Sequence, residues 1–198
     1  MKKLSTREFV LLALLVAILI VLAYVNIPQP AGLSITFNMI PVAIAAIAIG
    51  PLGGAIIGGA FGIISFLQCF GICGFSGMGA ALAAINPFLA FVQRFVPRLL
   101  VGLLVGWLFL LLKDKVNIYV NCVIAGFMAA FLNTALFMTS LVALFGHTEY
   151  IQNMIAGRSV LVFICATVGI NAVVEMVVAA ILTGAVGSAL HKAGFIKD

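Results

Sequence analysis

The chain has 198 residues, of which 65% are hydrophobic and 8% are charged, and its formal net charge is +5. A mean hydropathy of +1.35 excludes a soluble domain with a solvated surface. Because a membrane-spanning helix needs about 20 apolar residues, the chain has room for about six such helices joined by short loops. We predict an all-α integral membrane protein whose residues 1–198 form a single six-helix transmembrane bundle.

Three predicted helices follow a short basic segment at the N-terminus. The first covers residues 9–25, and we expect it to be retained rather than cleaved as a signal peptide, because it is long and lacks a small-residue cleavage site. The second covers residues 37–50, and a Gly-Pro turn leads into the third at residues 52–70. The third helix carries a small-residue face that favours close helix packing, at Gly54, Gly58 and Gly62.

The second half of the chain begins with a stretch rich in glycine and small residues. Residues 71–86 are uncharged, and we predict a loop or a re-entrant piece there. A fourth helix covers residues 88–112 and ends at a short charged turn. The fifth helix covers residues 117–145, and the sixth covers residues 159–190 after a polar loop.

The basic residues are distributed unequally between the two sides of this six-helix arrangement. Because loops rich in Lys and Arg stay in the cytoplasm, we predict that both termini are cytoplasmic. The net positive charge is then a topology signal, and no nucleic-acid partner is expected. One side carries Lys2, Lys3, Arg7, Lys113, Lys115, Lys192 and Lys197, whereas the other carries Arg158.

The fourth predicted helix carries two arginines within its apolar run. A guanidinium near the centre of a bilayer costs at least a few kcal/mol, so both must face protein, water or a ligand. Arg94 and Arg98 share one helix face with Gly102 and Gly106. We predict that Arg94 contacts a ligand. For Arg98, a structural pair with backbone carbonyls or with Glu175 is an equal alternative.

Polar side chains on two other predicted helices lie at a similar depth. At 1.5 Å per residue, Arg98, Asn133 and Asn171 all come about 16 to 18 Å from the outer end of their helices, and Glu175 lies about one turn deeper. The alternative is that the asparagines only join helices by hydrogen bonds. The candidate substrate-binding set is Asn38, Asn86, Arg94, Arg98, Asn133, Asn171 and Glu175.

Catalytic and metal-binding patterns are weak in this sequence. His147 and His191 are predicted on opposite sides of the membrane, so they cannot share a metal ion. No glycine-rich phosphate loop followed by Lys and Ser or Thr occurs, so ATP hydrolysis by that route is excluded. Cys69 and Cys73 could form a disulfide, but we favour two small buried residues. We expect no enzymatic activity, metal site or cofactor.

Five sequence fragments, in this order along the chain, resemble one transporter family. The chain is similar to the substrate-binding S component of an energy-coupling factor (ECF) vitamin transporter. The resemblance extends over nearly the whole chain, and the fourth and fifth helices look most like pantothenate-type members. The fragments are ALLVA from Ala13 to Ala17, MIPV from Met39 to Val42, GPLGG from Gly50 to Gly54, FVPRLLVG from Phe95 to Gly102 and NAVVE from Asn171 to Glu175.

This resemblance implies a six-helix binding protein of the bacterial cell membrane that captures a vitamin from outside. It would hand the vitamin over by associating with a transmembrane T component and two ATPase subunits. Ala13 and Ala17 match the alanine face that contacts the T component in that family. The alternative is that two alanines in an apolar helix occur there by chance and only aid internal packing.

The nature of the ligand follows from the cationic and polar cluster, which suits a small anionic amphiphile. Pantothenate has one carboxylate, an amide and hydroxyl groups, so we predict it as the ligand. Riboflavin is the second candidate, for which Trp107 or the phenylalanines would be stacking surfaces. A stand-alone proton-coupled carrier, with Glu175 as the proton site, is a different class that the sequence leaves open.

Overall fold

The computed structural model describes residues 5–24, 27–28, 34–157 and 159–196, and gives the backbone alone for 27–28, 34–35, 160–168 and 170. This part of the chain is predominantly helical. Two antiparallel strands of two residues each, β1 (Ile27–Pro28) and β2 (Ser34–Ile35), precede the second helix. The helices are α1 Thr6–Tyr24, α2 Met39–Ile49, α3 Pro51–Leu67, α4 Gly77–Ile85, α5 Pro87–Leu112, α6 Ile118–Phe145, α7 Glu149–Ile155 and α8 Val160–Lys192.

Five helical segments of the described chain are long and apolar enough to cross a membrane. They are Thr6–Tyr24, Pro51–Phe70, Pro87–Leu112, Ile118–Phe145 and Asn171–Lys192. The predicted second span is α2, which has 11 residues and is therefore about 16 Å long. It is shorter than predicted because the helix begins after Asn38 and ends before Gly50, whose φ is +90°. An all-helical membrane protein is confirmed, and the number of six spans stays a prediction.

Helix α2 lies at the centre of the bundle rather than against lipid. Eight of its 11 residues are buried, and it packs on α1, α3, α5, α6 and α8. The small side chains of Ala43, Ala45 and Ala46 are fully buried, which lets several helices approach it at once. The short central helix therefore fills the bundle and places its N-cap residue, Asn38, inside the protein.

The stretch at 71–86, predicted as a loop or a re-entrant piece, contains a helix. A turn occupies the first part, and α4 begins at Gly77, where the Ser76 hydroxyl accepts a hydrogen bond from the Gly79 backbone N–H at 3.2 Å. This N-cap satisfies a helix-end donor, and the residues after Gly79 are mostly alanine and leucine, which favour helix. The predicted polar loop at 146–158 likewise contains the short helix α7.

Helices α3 and α5 pack with their backbones in direct contact. A Cβ added to Gly54 would overlap the Gly102 carbonyl, and one added to Gly58 would overlap the Arg98 carbonyl. Gly54 on α3 and Gly102 on α5 therefore face each other, and no larger residue fits at this distance. This contact fixes α5, and with it the arginine face, against α3.

We expect Gly102→Ala to destabilise the protein by about 2 kcal/mol or more. The added methyl would overlap the Gly54 backbone, and overpacking of this kind costs about 1 to 3 kcal/mol even though alanine favours helix. The measurement is the apparent Tm of the detergent-solubilised protein, followed by size-exclusion chromatography after heating. Gly169→Ala is the matched control, because Gly169 is exposed and no described side chain lies within 4 Å of its Cβ position. Equal Tm values for both variants would contradict the packing described here.

Candidate functional site

A cavity of about 110 Å³ lies between α3, α5, α6 and α8, next to the segment that precedes α2. A volume of this size has room for several water-sized groups, so the cavity is a candidate binding site for a small molecule. Its walls are partly polar and partly aromatic. The aromatic wall is formed by Phe61, Phe75 and Phe137.

The cavity brings together most of the side chains predicted from the sequence. Those that line it are Asn38, Arg94, Arg98, Asn133, Asn171 and Glu175. Asn86 is not among the lining residues. It is the N-cap of α5, where its Oδ1 accepts a hydrogen bond from the Leu89 backbone N–H at 3.1 Å. The involvement of these residues in ligand binding stays a prediction.

Arg94 is held at one side of the cavity by two hydroxyl groups. Its side chain is 5% exposed. Nη1 donates to Ser65 Oγ and Nη2 donates to Ser76 Oγ, each at 3.1 Å. Gly79 permits this arrangement, because a Cβ there would lie 2.8 Å from Nη2. Both hydrogen-bond partners are neutral, so the guanidinium charge is not compensated by a protein carboxylate within the described residues.

Arg98 lies one helical turn further along α5 and is also 5% exposed. Nη1 donates to the Arg94 backbone carbonyl at 2.7 Å. The guanidinium carbon lies 4.7 Å from the ring centroid of Phe61 and 5.1 Å from that of Phe137. Phe137 also lies 5.5 Å from the guanidinium carbon of Arg94. The two cations therefore rest on aromatic faces, which stabilise a cation where water is scarce.

Glu175 reaches the cavity from α8 and is bonded to the segment before α2. Its Oε1 accepts a hydrogen bond from the Thr36 backbone N–H at 2.7 Å. Among the residues that the structure describes, no ion pair joins Arg98 to Glu175 within 4.0 Å. The structural alternative for Arg98 therefore holds in part, because Arg98 bonds a backbone carbonyl but not this carboxylate.

Several buried polar atoms near the cavity have no hydrogen-bond partner in the described part of the chain. They include Asn38 Oδ1, Asn133 Oδ1, Arg94 Nε and Arg98 Nε. Most buried polar atoms in proteins are bonded, so such a cluster is unusual. The site can thus offer carbonyl-type acceptors and guanidinium donors to a ligand that carries both kinds of group.

Sequence reasoning missed the residues that hold the arginines. Phe61 and Ser65 lie one turn apart on α3, and Ser65 was detectable as a hydroxyl within an apolar helix. Ser76 lies in the stretch at 71–86, for which a loop or a re-entrant piece was predicted. Trp107 does not line the cavity and is 57% exposed on the outside of the bundle, so the interpretation of Trp107 as a stacking surface for the ligand is wrong.

The cysteines and the metal-ligating residue types do not form a second site in the part of the chain that the structure describes. Cys69 and Cys73 are free thiols, and Cys69 is buried. Within the described ranges, no group of three or more His, Cys, Asp or Glu side chains is placed to hold a metal ion.

Residues 7–187 match the family model described as "ECF transporter, substrate-specific component". This chain belongs to that family. As an S component with five helices apolar enough to span a bilayer, it is a multi-pass bacterial membrane protein.

Two relatives of this S component have similar sequences over most of their length. Pantothenate transporter PanT of Leuconostoc mesenteroides subsp. mesenteroides is 32% identical over 164 residues, which are 80% of this chain and 76% of the relative. Pantothenic acid transporter PanT of Lactococcus lactis subsp. cremoris is 28% identical over 205 residues, covering 98% of each chain. The resemblance to an ECF S component that the sequence fragments indicated is thereby confirmed.

Proposed function

We propose that this S component binds pantothenate at the outer face of the membrane and delivers it by associating with a T component and two ATPase subunits. The protein itself would not hydrolyse ATP. Both relatives described above carry the name of a pantothenate transporter, which supports this choice of vitamin.

The observation that carries the proposal is the uncompensated charge of Arg94 in the cavity. A buried cation without a charged partner is unfavourable, and a ligand carboxylate would relieve that cost. Both Nη atoms of Arg94 and the nearby Arg98 guanidinium lie at the cavity, and a guanidinium can grip a carboxylate through two parallel hydrogen bonds. Pantothenate carries one carboxylate, so its charge suits this side of the site.

The rest of pantothenate also suits the cavity walls. Its hydroxyl and amide N–H groups can donate to the unpartnered Oδ1 atoms of Asn38 and Asn133. Its dimethyl group can pack against aromatic side chains such as Phe75. Riboflavin would need a free aromatic face for its ring system, whereas Arg98 already lies over the rings of Phe61 and Phe137.

The direct test is to identify and measure the ligand. Protein purified in mild detergent from cells grown with pantothenate should retain pantothenate, detected by mass spectrometry, and should bind it in calorimetry with riboflavin as the comparison. Retention of riboflavin, or absence of pantothenate binding, would refute the proposal. Uptake that depends on a proton gradient alone, without ATPase partners, would favour the proton-coupled carrier instead.

We also propose that the bundle has six membrane helices, α1, α2, α3, α5, α6 and α8, with both termini in the cytoplasm. In a variant without the four native cysteines, we expect Lys115→Cys and Lys192→Cys to be protected from an impermeant thiol reagent in intact cells. His147→Cys, exposed after the other end of α6, should react. The positive-inside distribution is the reason for this expectation. Reaction at Lys115→Cys with protection at His147→Cys would invert the topology.

A further inference from the structure

The cavity holds charges of both signs, and no ion pair within 4.0 Å joins them among the described residues. Its charged lining residues are Arg94, Arg98 and Glu175. With Glu175 ionised, two cations and one carboxylate leave one uncompensated positive charge, which a ligand with a single negative charge would neutralise. A ligand with two or more negative charges would leave an excess of negative charge in the cavity. That excess would lie next to Glu175 or would have no cationic partner.

The two signs are anchored on different parts of the fold. Arg94 is bonded to Ser65 on α3 and to Ser76 at the start of α4. Glu175 is on α8 and is bonded to Thr36 in the segment before α2. Among the described residues, these anchors leave the carboxylate without an ion pair to either guanidinium within 4.0 Å, so the opposite charges do not cancel each other in direct contact.

Only one of the two carboxylate oxygens of Glu175 accepts a hydrogen bond from the described residues. Oε1 accepts the Thr36 N–H, and Oε2 has no hydrogen-bond partner among the described residues, although the side chain lines the cavity. A carboxylate oxygen accepts hydrogen bonds and cannot donate them. It therefore favours a hydroxyl group of a ligand and repels an anionic group at the same place.

We propose that Glu175 is the specificity-determining residue that fixes the orientation of the ligand and excludes phosphorylated forms. This inference rests on the proposed function. The carboxylate of pantothenate faces the arginines, and a hydroxyl group at its other end donates to Glu175. A phosphate ester at that hydroxyl removes the donor and adds negative charge beside a carboxylate, so the phosphomonoester is rejected.

The test compares affinities measured by calorimetry for pantothenate and for its phosphomonoester at the primary hydroxyl. We expect the wild-type protein to prefer pantothenate by at least a hundredfold. Glu175→Gln should reduce that preference at least tenfold while pantothenate affinity changes only a few-fold, since glutamine still offers an acceptor oxygen. Glu175→Asp should keep the preference because it keeps the charge. Glu149→Gln, the same change at an exposed position outside the cavity, is the matched control.

A second measurement separates charge from size and needs no variant. The neutral dimethyl ester of the phosphorylated ligand is at least as large as the phosphomonoester but carries no charge on phosphorus. We expect the wild-type protein to bind this ester at least tenfold more tightly than the phosphomonoester. If both bind equally poorly, or if Glu175→Gln binds pantothenate but keeps the full preference, the charge filter is refuted and pantothenate binding still stands. If the wild-type protein does not bind pantothenate at all, the proposed function itself fails.

Discussion

Arg94→Gln is expected to weaken pantothenate binding by about 2 to 3 kcal/mol, a factor of roughly 30 to 150 in Kd. The substitution removes the charge whose hydrogen-bond partners, Ser65 and Ser76, are both neutral. A glutamine can still bond one of these hydroxyls, so the helix should insert and fold normally. Calorimetry on the purified variant measures the change.

The cause of this loss is tested with a second ligand and a second variant. Panthenol, the neutral alcohol analogue of pantothenate, lacks the carboxylate, so its affinity should change much less in Arg94→Gln. Arg7→Gln is the matched control, because Arg7 is exposed near the N-terminus and does not line the cavity. Equal losses of affinity for pantothenate and panthenol would show that Arg94 does not recognise the carboxylate.

Replacement of Ala13 and Ala17 by tryptophan should abolish uptake and leave ligand binding intact. Both alanines are exposed on α1, one turn apart, so they form a shallow surface that a partner helix could approach closely. Two indole rings would prevent that approach without touching the buried residues of α1. The measurement is pantothenate uptake in cells that contain the partner subunits, together with calorimetry on the isolated variant.

The control for this prediction is a tryptophan at an exposed position of another helix. Ile181 on α8 is 60% exposed, and Ile181→Trp should transport normally. If the Ala13→Trp, Ala17→Trp protein still supports uptake, the surface that contacts the T component lies elsewhere. Loss of pantothenate binding in the double variant would instead indicate that these alanines support the fold.

The polar side chains of the cavity were predictable because the membrane makes them costly. Arg98, Asn133 and Asn171 were placed at a common depth by counting 1.5 Å per residue, and all three line the cavity. This reasoning works because transmembrane helices are regular and nearly parallel to the membrane normal. It gives depth but not rotation, so it could not show that Arg98 bonds the Arg94 carbonyl instead of Glu175.

Two positions outside the cavity have local causes that the sequence does contain. Asn86 precedes Pro87, and an N-cap asparagine followed by proline in the first turn is a strong helix-start signal. Trp107 follows Arg94 by thirteen residues, which at 100° per residue places it about 140° around the helix from the arginine. A capping role for Asn86 and an outward position for Trp107 follow from these two observations.

The aromatic supports were not predictable in the same way. Phe61 and Phe137 come from different helices, and their position on the arginine planes depends on how α3, α5 and α6 are rotated about their axes. With 16 phenylalanines in the chain, composition alone cannot select these two. Helix α4 was not predicted because the glycines in this stretch disfavour a helix, although Ser76 and the alanines that follow favour one there.

The glycine contact between α3 and α5 has a consequence for how a ligand enters. Where backbone meets backbone, as at Gly54 with Gly102 and at Gly58 with Arg98, no side chain can change rotamer to accommodate sliding. Phe61, Ser65 and both arginines therefore belong to one rigid wall, whose geometry is set before any ligand arrives. Such preorganisation lowers the entropy lost on binding. The motion that admits a ligand must then come from the opposite wall, so slow entry or release would reflect α8 and the segment before α2.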